Sequence, residues 1–415
     1  MSTRGLEGVW RRELPHVLRA LLRRHGDFGD CEDAAQEALE AAVRQWPRDG
    51  MPDDPRGWLV RVASRRLIDR TRADRARAAR EEAEAVGRPD DALVMPPAAD
   101  HAQETDDSLH LLLLCCRPAL TRASQVALTL RAVAGLSTAQ IAAAFLVPEA
   151  TMAQRVSRAK ATLRDAGARF DAPDPAELPS RIAAVLDVLY LVFNEGYTRT
   201  EGVHLVDASL AEEAIRLTRQ LHTALADHDE VAGALALMLL THVRARARTD
   251  GAGDLVPLAD QDRSLWDAEL IAEGVRILED VLPHGHVGPF QLQASIAAVH
   301  AEAPTWEETD WLQITMLYQM LEHAAPQPAV TLNRAVAVGM AFDPEAGLAV
   351  VDPLLDDPAM RRHHRTHAVR AHLLEMAGRR EEAAEAYAQA ARLTASIPEQ
   401  RYLGRRLAAV QTKDG

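Results

Sequence analysis

Two proline-rich interruptions divide this chain and limit how it can fold. The segment 81–108 holds three prolines, nine acidic residues and one arginine, and its apolar residues show no period. The segment 171–180, DAPDPAELPS, again has three prolines. A chain of 415 residues is too long for one ordinary core. We therefore predict a domain over 1–80, an acidic, partly disordered linker over 81–108, a domain over 109–170 and a domain over 181–415.

The residues that fill these blocks indicate an all-α protein. Aromatic residues make up only 4% of the chain, and alanine and leucine occupy most apolar positions. That composition favours helices packed on helices over sheets.

Cysteine usage and the N-terminus predict a soluble, cytoplasmic protein. The three cysteines are odd in number, and Cys115 and Cys116 are adjacent, so no disulfide framework is expected. These two follow a run of leucines, which predicts core positions, with a redox sensor as the alternative. The N-terminus lacks the apolar region of a signal peptide, and the apolar stretch 231–242 is too short to span a bilayer. No cofactor or metal is expected.

A block of arginines contrasts with the net charge of −14. Nine arginines lie between Arg56 and Arg80, with only Asp69 and Asp74 among them. The alternative is a merely solvated helix face. However, a basic block with so few acids usually contacts a polyanion, so we predict nucleic-acid binding.

The sequence of the first block, residues 1–80, predicts helices on both sides of one loop. In DCEDAAQEALEAAVRQW, Asp30 is the predicted N-cap, and Asp33, Gln36 and Glu37 share one polar face. The segment 47–55 has three prolines and a glycine, which predicts a loop. The basic helix follows it.

The second block has the pattern of a helix-turn-helix. An apolar helix is predicted to end at Gly135, and Ser137 with Gln140 forms a capping box for a short helix. Pro148 then begins a helix rich in cations. A plain helical hairpin is the alternative. As a recognition helix, it would place the following residues near bases or phosphates: Thr151, Gln154, Arg155, Arg158, Lys160 and Arg164.

Three motifs in order resemble a bacterial RNA polymerase sigma factor of the extracytoplasmic-function group. They are DAAQE, GWLVRVASRRLIDRTR and LSTAQIAAAFLVPEATMAQRVSRAKATLR, and the resemblance covers positions 8–165. It implies sigma regions two and four, with core RNA polymerase (beta-prime clamp and beta flap) and promoter DNA as partners. Asp33, Gln36 and Glu37 match the segment that docks on the beta-prime coiled coil.

The resemblance also implies the DNA contacts. The loop 47–55 matches the one that captures a flipped −10 base, and the helix from Pro148 to Arg164 matches the −35 reader. Two departures are Arg65, where the family usually has asparagine, and Leu146, where most members have glycine. The residues matching the helix beside the −10 strand are Trp58, Arg61, Arg65, Arg66, Asp69 and Arg72.

The C-terminal block contains weak internal repetition. Residues 331–351 parallel 367–387 at an offset of about 36, close to the tetratricopeptide period. The second copy has Gly378 at its predicted turn, and its predicted packing residues are Ala371, Leu374, Ala383 and Tyr387. Such arrays bind peptides or other proteins, so a protein or peptide regulator is a predicted partner. The block resembles the tetratricopeptide-like extension of one sigma subgroup.

Three short motifs in the C-terminal block each allow two interpretations. FNEGY, with Asn194, Glu195, Gly196 and Tyr197, is either a helix stop capped by Gly196 or a regulatory contact with the sigma half or the polymerase. QDRSLWD (261–267) is either a salt-bridged corner, which we favour, or a contact site. HHRTH (363–367) is a solvated helix face or, less favoured, a metal pair.

Two functions from different classes therefore compete. The first is a promoter-specificity factor with a regulatory tail, and the second is a DNA-binding helical-repeat adaptor that does not recruit polymerase. The polar DAAQE face and the loop before the basic helix favour the first. The sequence has no nucleophile–base constellation, glycine-rich phosphate loop or metal set, so we do not predict an enzyme.

Overall fold

The computed structural model describes residues 3–82, 104–145, 147–168, 174–197, 201–202 and 208–412. The central part of the predicted acidic linker and the Leu146 position lie outside these residues. The described chain is helical almost throughout, which confirms the all-α prediction. It divides into two compact units, residues 1–188 (unit 1) and 189–415 (unit 2), a boundary that falls inside one helix.

Unit 1 contains seven helices and the start of an eighth among the described residues. They are α1 (Thr3–His25), α2 (Phe28–Asp49), α3 (Pro55–Glu82), α4 (Glu104–Cys115), α5 (Arg122–Ala132), α6 (Thr138–Ala144), α7 (Glu149–Asp165) and α8 (Leu178–Tyr197), of which α8 continues into unit 2.

The core of unit 1 follows the apolar stripe of α1. Leu14, Leu18 and Leu21 are fully buried, and α1 packs on α2, α3 and α4. The side of α2 that faces the core is built from small alanines, which allows close helix packing. Cys115 and Cys116 are fully buried in the core, as predicted.

Two predicted boundaries in the first block were wrong. Asp27, rather than Asp30, caps α2, because its carboxylate accepts a hydrogen bond from the backbone N–H of Asp30 at 2.8 Å. The predicted loop 47–55 is shorter, since α2 continues through Pro47 to Asp49. Proline in a last turn interrupts few backbone hydrogen bonds, and the buried side chain of Trp46 anchors that turn.

The helix-turn-helix of the second block has the predicted capping. Ser137 and Gln140 form both reciprocal bonds of the capping box, at 2.8 and 3.1 Å. Helix α5 ends at Ala132, three residues before Gly135, whose φ of +69° lets the chain turn toward α6. Helix α7 then begins directly after Pro148.

Unit 2 continues as pairs of consecutive helices. After α8 come α9 (Ala208–Ala224), α10 (Asp229–His242), α11 (Ala268–Val281), α12 (Pro289–Glu302), α13 (Trp311–Ala324), α14 (Pro328–Ala341), α15 (Pro344–Val351), α16 (Pro358–Arg361), α17 (His364–Met376), α18 (Arg380–Leu393) and α19 (Ile397–Thr412). A two-residue parallel pairing joins β1 (Glu201–Gly202) to β2 (Ala395–Ser396). None of the described helices is long and apolar enough to cross a membrane.

The second predicted repeat corresponds to α17 and α18. Its four predicted packing residues are all buried, and Gly378 turns the chain between the helices with φ +75°. The FNEGY segment differs from its prediction, because α8 continues to Tyr197 and Gly196 does not end the helix. Tyr197 is buried there, which holds the last turn in place.

Close packing between α14 and α15 gives a prediction about glycine. A Cβ at Gly347 would lie 2.8 Å from the carbonyl oxygen of Ala335, whereas one at Gly404 on α19 would meet no atom within 4 Å. We expect Gly347→Ala to destabilise its helix pair by about 1–3 kcal/mol. Gly404→Ala, the matched control, should stabilise its exposed helix by about 0.5–1 kcal/mol. Hydrogen exchange of the peptides covering each helix measures both, and equal effects would contradict the packing.

Candidate nucleic-acid and polymerase interface

The acidic face of α2 carries the predicted polymerase-docking residues, and several of its carboxylates are already engaged. Asp33 is 52% exposed, and its carboxylate lies 2.6 Å from Lys160 Nζ and 3.9 Å from Arg70 Nη1. Glu37 accepts a hydrogen bond from Arg70 and lies 3.6 Å from Arg66. The helix brings Asp33, Gln36 and Glu37 together as the spacing predicts.

Helix α3 presents two faces with different roles. Arg66 and Arg70 point toward the acids of α2. The other face is a stripe at spacings of three and four residues, so these side chains line one side of the helix. Its arginines are exposed, and Trp58 packs edge-on against Trp46 at 5.4 Å between ring centroids. The stripe consists of Trp58, Arg61, Arg65, Asp69 and Arg72.

One side of helix α7 is buried in the core, and another side lines a groove. Met152, Val156, Ala159 and Leu163 are buried. The groove is bounded across from α7 by Thr121 and Ser124 at the start of α5. Four of the six residues of α7 that are predicted to contact DNA line it: Thr151, Gln154, Arg155 and Arg158. The donors and cations that line the groove suit a phosphate backbone or base edges.

Lys160, the fifth predicted −35 residue, lies outside the groove. Its side chain is only 12% exposed, and its ammonium donates to Glu32 and Asp33 on α2. Arg164 similarly donates to Asp27 through Nε at 2.9 Å. The DNA roles of these residues stay predictions, and in this structure both cations bind α2.

Glu32, which no sequence pattern singled out, is the centre of this ionic cluster. Its side chain is 1% exposed and accepts from Arg131 Nε at 2.9 Å as well as from Lys160. The cations lie 99 and 128 residues away along the chain, so no local pattern identifies them. Burial raises the pKa of Asp27, but hydrogen bonds from Arg164 and from the Asp30 N–H outweigh it and lower that pKa overall.

The regulatory candidates in FNEGY divide between core and surface. The Tyr197 ring is buried and stacks on Phe193, with 5.6 Å between the ring centroids. The Arg248 guanidinium lies 3.7 Å from the centroid of the Tyr197 ring. Arg248 also donates to the Tyr197 carbonyl oxygen. Gly196 is buried, while Asn194 and Glu195 are partly exposed. Of the four residues, only Asn194 and Glu195 therefore present surface to a partner.

The other two motifs make contacts within unit 2. Asp262 caps a 3-10 turn, and Arg263 lies over the Trp266 ring at 4.5 Å and donates to the His300 carbonyl oxygen at 2.8 Å. A corner is present here, but in the described residues backbone hydrogen bonds and the indole contact hold it, rather than the predicted salt bridge. His367 Nε2 lies 2.7 Å from the Arg361 carbonyl oxygen, and within the described ranges no three His, Cys, Asp or Glu side chains are grouped to hold a metal.

Burial of His300 predicts that acid weakens unit 2. Desolvation, aided by the nearby Arg244 and Arg263, lowers the pKa of His300 to about 4. Because the unfolded imidazole binds a proton near pH 6.5, stability is lost as pH falls from there toward 4. At pH 5 we expect a loss of about 2 kcal/mol. Hydrogen exchange of α12 at pH 7.5 and 5 measures it, and His300→Asn should lose this part of the pH dependence. Equal pH dependence in both proteins would contradict the assignment.

Comparison with known families agrees with this geometry. Residues 9–77 match Sigma-70 region 2, and residues 110–163 match Sigma-70, region 4. Residues 181–282 match a family of unknown function, DUF6596. The two matched sigma regions define a sigma-70 family protein whose region two holds α2 and α3 and whose region four holds α5 to α7.

Similar proteins narrow the family assignment further. The chain is 44% identical over 390 residues to an uncharacterized protein of Rhizobium meliloti (strain 1021), covering 94% of this chain and 92% of that one. It is 29% identical over 160 residues to the probable ECF RNA polymerase sigma factor SigI of Mycobacterium tuberculosis (strain ATCC 25618 / H37Rv), covering 39% of this chain and 54% of SigI. No solved structure matches. The chain belongs to the extracytoplasmic-function group of sigma-70 family factors and carries a large helical C-terminal extension.

Proposed function

We propose that this sigma factor binds core RNA polymerase through the acidic face of α2 and directs it to promoters with −10 and −35 elements. The observation that carries the proposal is the division of charge within unit 1. Acids line one face of α2, whereas arginines line two other surfaces, the exposed stripe of α3 and the groove beside α7. One surface fits a protein with basic flanks, and the other two fit DNA.

Each DNA surface suits a different state of the promoter. The α3 stripe combines arginines with a partly exposed indole, which suits a single strand whose phosphates and unpaired bases both need contacts. The α7 groove offers Gln154, Arg155 and Arg158 on one helix face, which suits the major groove of a duplex. The beta-prime clamp and the beta flap are the proposed polymerase contacts of regions two and four.

The competing function is a DNA-binding adaptor that does not recruit polymerase. Binding of the full chain to purified core polymerase, without DNA, separates the two. The sigma proposal expects a stable complex that moves as one species in gel filtration. Tight promoter binding by the chain alone, with no complex on core polymerase, would favour the adaptor. The proposal assigns catalysis to the polymerase and none to this chain.

We also propose that unit 2 regulates the sigma regions, by intramolecular contacts or by contacts with polymerase. Its size and acidity support a regulatory role, and Asn194 and Glu195 are the exposed candidates in FNEGY. A truncation should end after Val188, because Arg181 donates to the Leu113 carbonyl oxygen and Asp187 accepts from Arg122 within unit 1. Higher transcription after truncation supports inhibition by unit 2, and lower transcription supports a required contact.

A further inference from the structure

Ion pairs join the helix proposed to dock on polymerase to the helix proposed to read −35 DNA. Lys160 on α7 donates to Glu32 and Asp33 on α2. One helical turn later, Arg164 donates to Asp27 at 2.9 Å and lies 3.8 Å from Asp30. We call these contacts of Asp27, Glu32 and Asp33 with Lys160 and Arg164 the ionic latch.

The backbone of α2 is shaped to receive α7. A Cβ at Gly29 would lie 3.0 Å from Arg164 Nη2, 3.1 Å from Asp27 Oδ1 and 3.6 Å from Lys160 Cβ. Gly29 has no positive φ, so its small size rather than its backbone conformation matters here. A side chain at this position would crowd the end of the Arg164 side chain, so the glycine eases the close approach of α7 to α2.

The burial of the charges makes the latch reversible. Glu32 is 1% exposed, and its two cations, Arg131 and Lys160, are 15% and 12% exposed. Removing charges from water offsets most of the Coulomb attraction of such pairs. Arg131 on α5 and Lys160 on α7 both belong to region four. When region four moves away, these two cations and Glu32 all regain water. On the outer side of the latch, Asp33 and Arg164 are 52% and 56% exposed, so salt partly screens their ion pairs.

Apolar packing acts together with the latch. Helix α1 packs on α4 and α5, and a Cβ at Gly135 would lie 3.4 Å from the Trp10 ring. The closed arrangement therefore has an apolar part, which salt does not weaken, and an ionic part, which salt does weaken. The ionic part is the one that a charged partner can replace.

We propose that the ionic latch holds region four on the polymerase-docking face in the free protein, and that core polymerase opens it by competing for Asp33. The inference rests on the proposed function, because it identifies α2 as the docking helix. With α7 on this face of α2, Lys160 occupies Asp33 Oδ1 and Arg70 lies 3.9 Å from Asp33 Oδ2, so a cationic polymerase partner must compete with cations that are already in place. Because the linkage is reciprocal, loosening the latch strengthens polymerase binding as much as polymerase binding loosens the latch.

Two spectroscopic labels measure the opening in the full chain. Gln45→Cys on α2 and Ala161→Cys on α7 place them at exposed positions. The native thiols do not compete, because Cys31, Cys115 and Cys116 are buried and burial raises the pKa of Cys31 and Cys116 to about 12. We expect one short label distance in low salt, a longer one with added core polymerase, and a growing long population in high salt.

Neutralising the cations should open the latch without polymerase. In Lys160→Gln/Arg164→Gln, the long distance should be populated in low salt, and affinity for core polymerase should rise about fivefold to thirtyfold. The matched control is Glu40→Gln/Arg44→Gln, which removes an exposed ion pair of 3.7 Å on α2 outside the latch. The control should change neither the distance nor the affinity.

The outcomes separate the latch from the sigma role. If the labelled protein binds core polymerase and its short distance persists in the complex and in high salt, the latch is overturned and the sigma role stands. If no protein binds core polymerase, the sigma role fails, and the salt response of the distance still decides the ionic contact. Should the glutamine variant fold poorly, the salt titration of the labelled chain decides alone.

Discussion

Replacing Asp33 and Glu37 together by alanine should nearly abolish binding to core polymerase and transcription from the cognate promoter. Both carboxylates lie on the same face of α2, and both pair with cations in the free protein. Truncating charged groups that are paired across an interface costs on the order of 2–4 kcal/mol, or roughly 30- to 1,000-fold in affinity. Direct titration of core polymerase with each protein measures the loss.

A matched pair on the same helix controls for damage to α2. Glu40→Ala/Arg44→Ala removes an exposed i,i+4 ion pair and should leave polymerase binding within about twofold of the unsubstituted protein. Both variants should keep the helical content of unit 1, because Asp33 and Glu37 are exposed side chains of α2 and lie outside its buried face. If the two variants bound core polymerase equally well, the acidic face of α2 would not be part of the docking site.

Replacing Arg155 and Arg158 together by alanine should abolish use of the −35 element while leaving polymerase binding intact. Both guanidinium groups line the groove beside α7, away from the ionic latch. Each arginine that contacts a base contributes about 1–3 kcal/mol of discrimination, so the pair should cost roughly 30- to 20,000-fold at the correct sequence. Promoter titration by the preformed polymerase complex measures it, on templates with and without the −35 element.

Ser157→Ala is the control on the same helix. Ser157 is exposed and does not line the groove, so its loss should leave −35 selectivity unchanged. A uniform loss on both templates after Arg155→Ala/Arg158→Ala would assign these arginines to phosphates alone. Unchanged binding to both templates would contradict the assignment of α7 as the −35 reader.

Local periodicity was sufficient to predict the surfaces of single helices. The shared polar face of Asp33, Gln36 and Glu37 follows from spacings of three and four on α2, and the capping box of Ser137 with Gln140 follows from their separation. The family resemblance then assigned these surfaces, and the matches to sigma regions two and four agree with it. Which side chains contact polymerase or DNA stays a prediction.

Contacts between distant segments were not predictable in the same way. Lys160 carries the same charge and helix position as a phosphate-binding residue, and only the tertiary fold places it on Glu32. In the sequence, Glu32 is one of several acids on α2, and only the tertiary fold places Arg131 of α5 against it. The ionic latch is therefore a property of the packing of unit 1.

Helix ends were predicted poorly where two residues could serve equally well. Asp27 and Asp30 are both competent N-caps, and the choice of Asp27 follows from the turn at Gly26, whose φ is +79°. Gly196 was predicted to stop α8, but burial of Tyr197 under Arg248 keeps the helix intact past it. In each case tertiary packing overrides a local preference.

Run-off transcription by purified core polymerase plus this protein tests the sigma role most directly, on templates taken upstream of its own operon. We predict specific transcripts that require the protein and disappear with either Asp33→Ala/Glu37→Ala or Arg155→Ala/Arg158→Ala. Tight DNA binding by the protein alone, with no transcript from core polymerase on any template, would contradict the account and leave the adaptor function.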